Sequence, residues 1–152
     1  PAVIFTGDKD LLQLIDDNTT VVLTKRGVSE VARMDEATTK AEIGVSPAQI
    51  VDYKALCGDA SDNIPGVAGI GQKSAVGLLK EYGDIDNLYK KLDNVKGATL
   101  KKLQDGREMA FLSRQLATII RDAGVECINL VKSLNMGIKY IFGLCFVMQR
   151  CC

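Results

Sequence analysis

The chain contains no histidine and no tryptophan. The first absence excludes imidazole general bases and histidine-rich zinc sites. The formal net charge is +0, so no global basic field marks the protein for a polyanion. The longest apolar stretch, Tyr140 to Met148, falls well short of the roughly 20 residues that a membrane helix needs. Five cysteines, Cys57, Cys127, Cys145, Cys151 and Cys152, are too scattered for a disulfide framework or a paired-cysteine zinc site. No stretch reads as a signal peptide, and unpaired thiols predict a cytoplasmic protein. What is present is 152 residues, one domain or a piece of a larger one, with enough apolar residues for a core.

Charge is arranged locally. Lysines gather at Lys90, Lys91, Lys96, Lys101 and Lys102, and acids around Asp8, Asp10, Asp16, Asp17, Asp59 and Asp62. The pattern predicts an α/β start that becomes mainly helical. Pro1–Phe5 is a short apolar run that reads as a buried strand, beginning abruptly with no room for the partners it needs. Asp8 is placed to cap a helix through Leu11, Leu12, Leu14 and Ile15. Thr20–Thr24 reads as a second strand, turned by Lys25-Arg26-Gly27. Asp35 opens a helical pattern that stops at Gly44. Ser46-Pro47-Ala48-Gln49 is a capping box with proline at the first helical position, and its helix runs through Ile50 and Leu56. Gln72–Tyr82 is a helix with Ala75, Leu78 and Leu79 on the buried side and Gly83 at its C-terminus. Short helices are expected at Ile85–Lys91 and Thr99–Gln104, a further one at Arg107–Leu116, and a strand at Ala117–Arg121. From about Leu130 the chain shows no cap, turn or clear period, and Val131–Cys152 is expected to lie outside the fold.

Three constellations carry chemistry. Asp8 and Asp10 follow the first strand at its carboxyl edge, where open α/β sheets bind ligands. Two carboxylates on one turn suit a hard cation, and equally suit a helix N-terminus. Asp59 and Asp62, three apart just past a helix end, face one way and can address one cation. An Asp/Ser/Asn-rich turn bonding its own amides is the plainer reading. A second acid pair makes a two-metal site credible, with ions roughly 3.5–4 Å apart. Third, Gly66, Gly69 and Gly71 lead into a helix headed by Gln72 and Lys73. Such glycines let backbone amides approach a phosphate, although the same pattern serves a tight connection. No strand precedes them, which disfavours a dinucleotide fingerprint, and the spacing is wrong for a Walker loop.

The order of these motifs is recognisable. Thr6-Gly7-Asp8-Lys9-Asp10, then Tyr53-Lys54-Ala55-Leu56-Cys57-Gly58-Asp59-Ala60-Ser61-Asp62-Asn63-Ile64-Pro65-Gly66, then Gly69-Ile70-Gly71-Gln72-Lys73-Ser74-Ala75, resembles the 5′-nuclease family. The branch it is most similar to is the 5′→3′ exonuclease domain of bacterial DNA polymerase I, with flap endonucleases as relatives. The resemblance covers about residues 3 to 128. It implies the C-terminal part of a PIN-like nuclease domain: residues 1–57 a partial α/β core, 58–128 the helix–three-turn–helix element and C-terminal helices, 129–152 a non-family tail. It also implies a structure-selective nuclease of DNA replication and repair that cuts 5′ flaps and removes RNA primers. Its cofactor would be Mg2+ or Mn2+, two ions in the complete domain.

By position, Asp8 and Asp10 match the family's acidic pair after the central strand, and Asp59 and Asp62 the pair associated with the second metal. Gly66 to Lys73 matches the hairpin that grips duplex DNA through backbone amides and can also bind K+ through its carbonyls. The family's N-terminal strand, arch helices and further acids have no counterpart in this sequence. The expectation is therefore a monomeric fragment, truncated or frameshifted, with DNA as partner and crippled or absent autonomous catalysis. The competing readings are a non-catalytic helix-hairpin-helix DNA-binding module and a PIN-like ribonuclease, the latter disfavoured by the glycine hairpin.

Overall fold

The computed structural model describes residues 1–26 and 30–121. The expected tail at 129–152 and Gly27 of the expected turn lie outside them. The chain opens with strand β1 (Ala2–Thr6), followed by a 3-10 helix at Lys9–Leu14 and strands β2 (Thr19–Arg26) and β3 (Glu30–Met34). Helices α1 (Glu36–Ile43), α2 (Ile50–Cys57), α3 (Gln72–Tyr82), α4 (Ile85–Lys90), α5 (Gly97–Asp105) and α6 (Arg107–Ala117) follow, with short 3-10 turns at Pro47–Gln49 and Leu92–Asn94. This is the α/β, mainly helical architecture that the sequence predicts.

The sheet has the order β1-β2-β3. β1 runs parallel to β2, in register from Ala2 opposite Thr19 to Thr6 opposite Leu23, so the intervening 3-10 helix is the crossover that a parallel pair requires. β3 returns antiparallel, with Val21 opposite Met34. Two expectations change here. β1 is a strand but an edge one, with Val3 58% and Phe5 62% exposed, because only its β2 side is paired among the described residues. β3 was not expected: Val31 is 52% exposed, and only Met34 in the run is buried, so no clear alternation marks it.

Local chemistry sets the helix ends. The Asp35 carboxylate accepts from the Thr38 amide at 2.8 Å, and the Thr38 hydroxyl accepts from the Asp35 amide at 2.7 Å, a reciprocal cap on α1. Gln49 accepts from the Ser46 amide at 3.1 Å. Its side-chain amide then donates to the carbonyls of Leu79 and Gly83 at the far end of α3, tying the start of α2 to the end of α3. The expected strand at Ala117–Arg121 is absent. α6 continues to Ala117 because Ala110, Ser113 and Ala117 form its buried stripe, and the Thr118 amide still donates to the Arg114 carbonyl at 3.1 Å. The β-branched residues that follow carry no strand.

The core joins the sheet to the helices through Leu12, Val21, Leu23, Met34, Leu56 and Leu79. α2 is central, packing on both α3 and α6. One ion-pair group fastens three helices: Arg114 Nε lies 3.0 Å from Asp52 Oδ1 and its Nη1 2.7 Å from Asp86 Oδ2, while Asp52 Oδ2 accepts from the Ile85 amide at 3.1 Å. No helix among the described residues is long and apolar enough to cross a membrane.

Candidate metal centre and nucleic-acid interface

α2 ends where Gly58 takes φ 73°, a region a side chain resists. The chain then makes a four-residue loop closed by a reciprocal pair of 2.9 Å hydrogen bonds between the backbones of Asp59 and Ile64. Asn63, with φ 54°, completes the reversal. Gly58 and Gly66 lie back to back. A Cβ on Gly66 would stand 2.3 Å from the Gly58 nitrogen, and one on Gly58 would stand 2.8 Å from the Ile64 carbonyl oxygen. No other residue type fits this crossing. The Gly66 amide donates to the buried Ser113 hydroxyl of α6 at 2.9 Å, and the Val67 amide to the Leu56 carbonyl at 2.9 Å. The acidic loop is thus clamped between α2 and α6.

The clamp aims two carboxylates toward the 3-10 helix. One carboxylate oxygen from each of Asp10, Asp59 and Asp62 lies within 4.8 Å of the others. Asp10 is almost wholly buried, Asp59 and Asp62 about a quarter exposed. The Ser61 amide and hydroxyl donate to Asp59 Oδ1 at 3.0 and 2.5 Å, leaving Oδ2 to face the group's centre. Asp8 does not join them: its Oδ1 accepts from the Asp10 amide at 2.8 Å, where it caps the 3-10 helix. Of the two pairs read from the sequence, one is split and the other stays together.

Sequence reasoning missed the residue at the middle. Lys54 Nζ contacts Asp10 Oδ1, and it lies 2.7 Å from Asp59 Oδ2 and 3.4 Å from Asp62 Oδ2. Its side chain is 8% exposed. A lysine within the apolar run Tyr53 to Leu56, one turn before an acidic loop, was the available signal. Burial works to raise the Asp59 carboxyl, but the Lys54 ammonium and the Ser61 donors outweigh it and hold the group at about 2, below its ordinary 3.8. Asp59 therefore stays ionised across the physiological range.

Beyond the loop, Val67–Ile70 forms a turn closed by the Ile70 amide on the Val67 carbonyl at 3.0 Å. Gly69 has φ 78°, and the Lys102 stem lies across it: a Cβ there would come 2.9 Å from Lys102 Cε. The Lys102 ammonium of α5 donates to the Gly69 carbonyl at 2.9 Å. Gly71 differs. A Cβ there would meet nothing within 4 Å, and no side chain caps the helix α3 that it opens. Gln72 and Lys73 are exposed in its first turn. Asp59, Lys54, Tyr53, Cys57, Lys9 and Gln72 line one open cleft of about 750 Å³, so the acidic loop and the head of α3 border the same space.

Comparison with known proteins identifies the family and the fold. Residues 45–136 match the family model described as 5′-3′ exonuclease, C-terminal SAM fold. The chain is 45% identical over 124 residues to DNA polymerase I of Bacillus subtilis, an alignment spanning 81% of this chain and 14% of that protein. It is 46% identical over 137 residues to DNA polymerase I of Lactococcus lactis, spanning 90% and 16%. The chain thus corresponds to less than a fifth of the length of either relative. Among solved structures, T5 5′-exonuclease with divalent metal ions (zinc) bound superposes with a TM-score of 0.67 at 23% identity, over 76% of this chain and 42% of that one. A bacteriophage T5 flap endonuclease in a pseudo-enzyme-product complex with DNA and metal ions superposes with 0.64 at 22%, over 76% and 42%. At these identities the likeness is one of fold. Fold, motif order and family model converge: the chain belongs to the 5′-3′ exonuclease family, in its C-terminal SAM-fold part.

Proposed function

We propose that this chain supplies the duplex-gripping hairpin and part of the metal-ligand set of a 5′→3′ exonuclease and flap endonuclease, acting on DNA phosphodiester bonds in replication and repair. The observation that carries this reading is the convergence of Asp10, Asp59 and Asp62 within 4.8 Å of one another, with Asp59 lining a cleft that Gln72 of α3 also lines. Three carboxylates are the donors a hard divalent cation takes, and the ammonium among them marks the spot as one where positive charge is held. Mg2+ or Mn2+ would be held there by these three residues, with Asp8 acting through the backbone it caps. The chemistry such ions supply is activation of water and stabilisation of the attacking and leaving oxygens. The two ions of the complete site need more donors than this group contains, so the cutting step is assigned to the longer protein.

The hairpin's own geometry supports the proposed role. α3 begins with backbone amides that no side chain caps, in open space at Gly71, beside Lys73. Such an end attracts a phosphate. Lys102 holds the preceding turn in shape, and Gly66 anchors it to Ser113. Contacts of this kind read the backbone and not the bases. For K+ at the hairpin the donor set fits less well, because the Gly69 carbonyl already accepts from Lys102; no step is assigned to it. The protein is proposed to act as a cytoplasmic monomer.

The test uses a fluorescent 5′-flap duplex, monitored for binding and for cleavage across a magnesium titration. The chain is expected to bind without sequence preference, and Lys73→Ala to weaken binding and lower the salt slope by about one. Flap cleavage by this chain alone is expected to be absent. Cleavage that Asp59→Asn abolishes would overturn the assignment of catalysis to the longer protein. A duplex affinity indifferent to salt and to Lys73 would overturn the hairpin's role.

A further inference from the structure

We infer that Lys54 is a resident counter-ion of the acidic centre, which a divalent cation must displace in order to bind. The inference rests on the reading of Asp10, Asp59 and Asp62 as a cation site, and it assigns that site a built-in competitor. An ammonium has three N–H donors, and here it meets three carboxylates: Asp10 in contact, Asp59 at 2.7 Å and Asp62 at 3.4 Å. Without it, three like charges, one of them nearly wholly buried, would face one another across at most 4.8 Å and push the loop away from the 3-10 helix. With it, the centre stays assembled before any ion arrives.

A divalent cation drawn to the same oxygens meets a positive charge already among them. The two cannot share the position, so one must leave. Lys54 has somewhere to go: its flexible stem also lines the 750 Å³ cleft beside the loop. The other charged groups lining that cleft are Lys9, Glu42 and Asp59, and the cleft is open to water. The ion's apparent affinity is then lowered by the fraction of molecules in which Lys54 is in place. Lys54 acts as a positioning residue that trades metal affinity for a preassembled site.

The experiment compares the wild-type chain with Lys54→Met, which keeps a comparable stem and removes the charge. Free Mn2+ is followed by electron paramagnetic resonance during titration at fixed ionic strength, and melting temperature is recorded with and without Mn2+. Lys54→Met is expected to bind Mn2+ about tenfold more tightly, as when a tenth of the wild-type molecules are binding-competent. Its metal-free melting temperature should fall, and its gain on adding Mn2+ should exceed that of the wild type. Unchanged or weaker Mn2+ affinity in the folded variant would overturn the inference.

A second measurement needs no variant. Acetylation of Lys54 by an amine-reactive ester, read by mass spectrometry, should be slow in the metal-free wild type. At saturating Mn2+ it should approach the rate of exposed Lys73, and protection that Mn2+ leaves unchanged would also contradict displacement. If neither protein bound Mn2+, and Asp59→Asn altered nothing, the cation site itself would fall. That outcome differs from tight binding with Lys54 still in place.

Discussion

Gly66 and Gly71 belong to the same glycine-spaced run, yet they hold their places for different reasons. Gly66 sits against the backbone of Gly58, where a Cβ would come to 2.3 Å, with φ 64° as a second obstacle. Gly66→Ala should therefore cost about 3 kcal/mol or more, from overpacking and left-handed strain together. Chemical denaturation will show it as a lower midpoint. Gly71 has φ −91° and open space around it, so Gly71→Ala should leave the midpoint in place. If the head of α3 receives a phosphate, the same substitution weakens duplex binding, because its methyl stands where the anion would approach. Loss of stability at Gly71, or none at Gly66, would show that the two roles are misassigned. Both glycines were legible as backbone-permissive positions. Their division of labour was not, because it depends on Gly58 crossing behind Gly66, a contact that spacing alone cannot reveal. Lys54 was illegible for a related reason: a lysine in a sequence reads as solvated surface, and only the folding of the loop back over α2, together with the packing of the 3-10 helix on α2, brings three acids around it.

At the scale of the element, the caps were the most readable features. Asp35, Ser46, Gly44 and Gly83 set helix boundaries through chemistry confined to four or five residues, and so the sequence alone suffices. The Thr38 amide bonded to Asp35 holds that carboxyl below its ordinary 3.8. A carboxyl lowered by folding contributes stability that is present above its unfolded value and lost as pH falls through the folded one. The Thr38 amide resonance should therefore titrate below pH 3.8, with α1 loosening as it does so, and Asp35→Asn should remove that titration. A Thr38 resonance that moves with an ordinary carboxylate midpoint would contradict the cap.

Elements that depend on partners were harder to read. β3 exists because β2 offers its edge, and its own sequence, with Val31 facing solvent, scarcely alternates. The β-branched run at Thr118–Ile120 invites a strand that no described partner completes. Ser113 shows the same dependence: on an amphipathic helix it passes for a small core residue, yet its hydroxyl is the acceptor for the Gly66 amide. Ser113→Ala leaves that buried amide unsatisfied and should cost about 1–3 kcal/mol, with amide exchange at Gly66 accelerating ahead of the rest of the core. Exchange at Gly66 no faster than in the wild type would rule out the clamp.

At the scale of the whole molecule, α2 is the element on which the acidic loop and the neighbouring helices are assembled. It carries Lys54, ends at the loop bearing Asp59 and Asp62, and packs on α3 and α6. The Asp52–Arg114–Asp86 group fixes its orientation, so the direction of the acidic loop is determined by helix packing well away from it. The sequence carried the family through motif order and the fold through capping and period. It offered Asp10, Asp59 and Asp62, which the fold brings together, alongside Asp8, which the fold turns away, since two acids on one turn look equivalent until the 3-10 helix separates their directions.

The most direct test of this account is an anomalous difference map from crystals of the chain soaked in Mn2+. The account predicts a peak within coordinating distance of Asp10, Asp59 and Asp62, with Lys54 withdrawn and Asp8 still on the Asp10 amide. A map with Lys54 in place and no peak among those three carboxylates would contradict it.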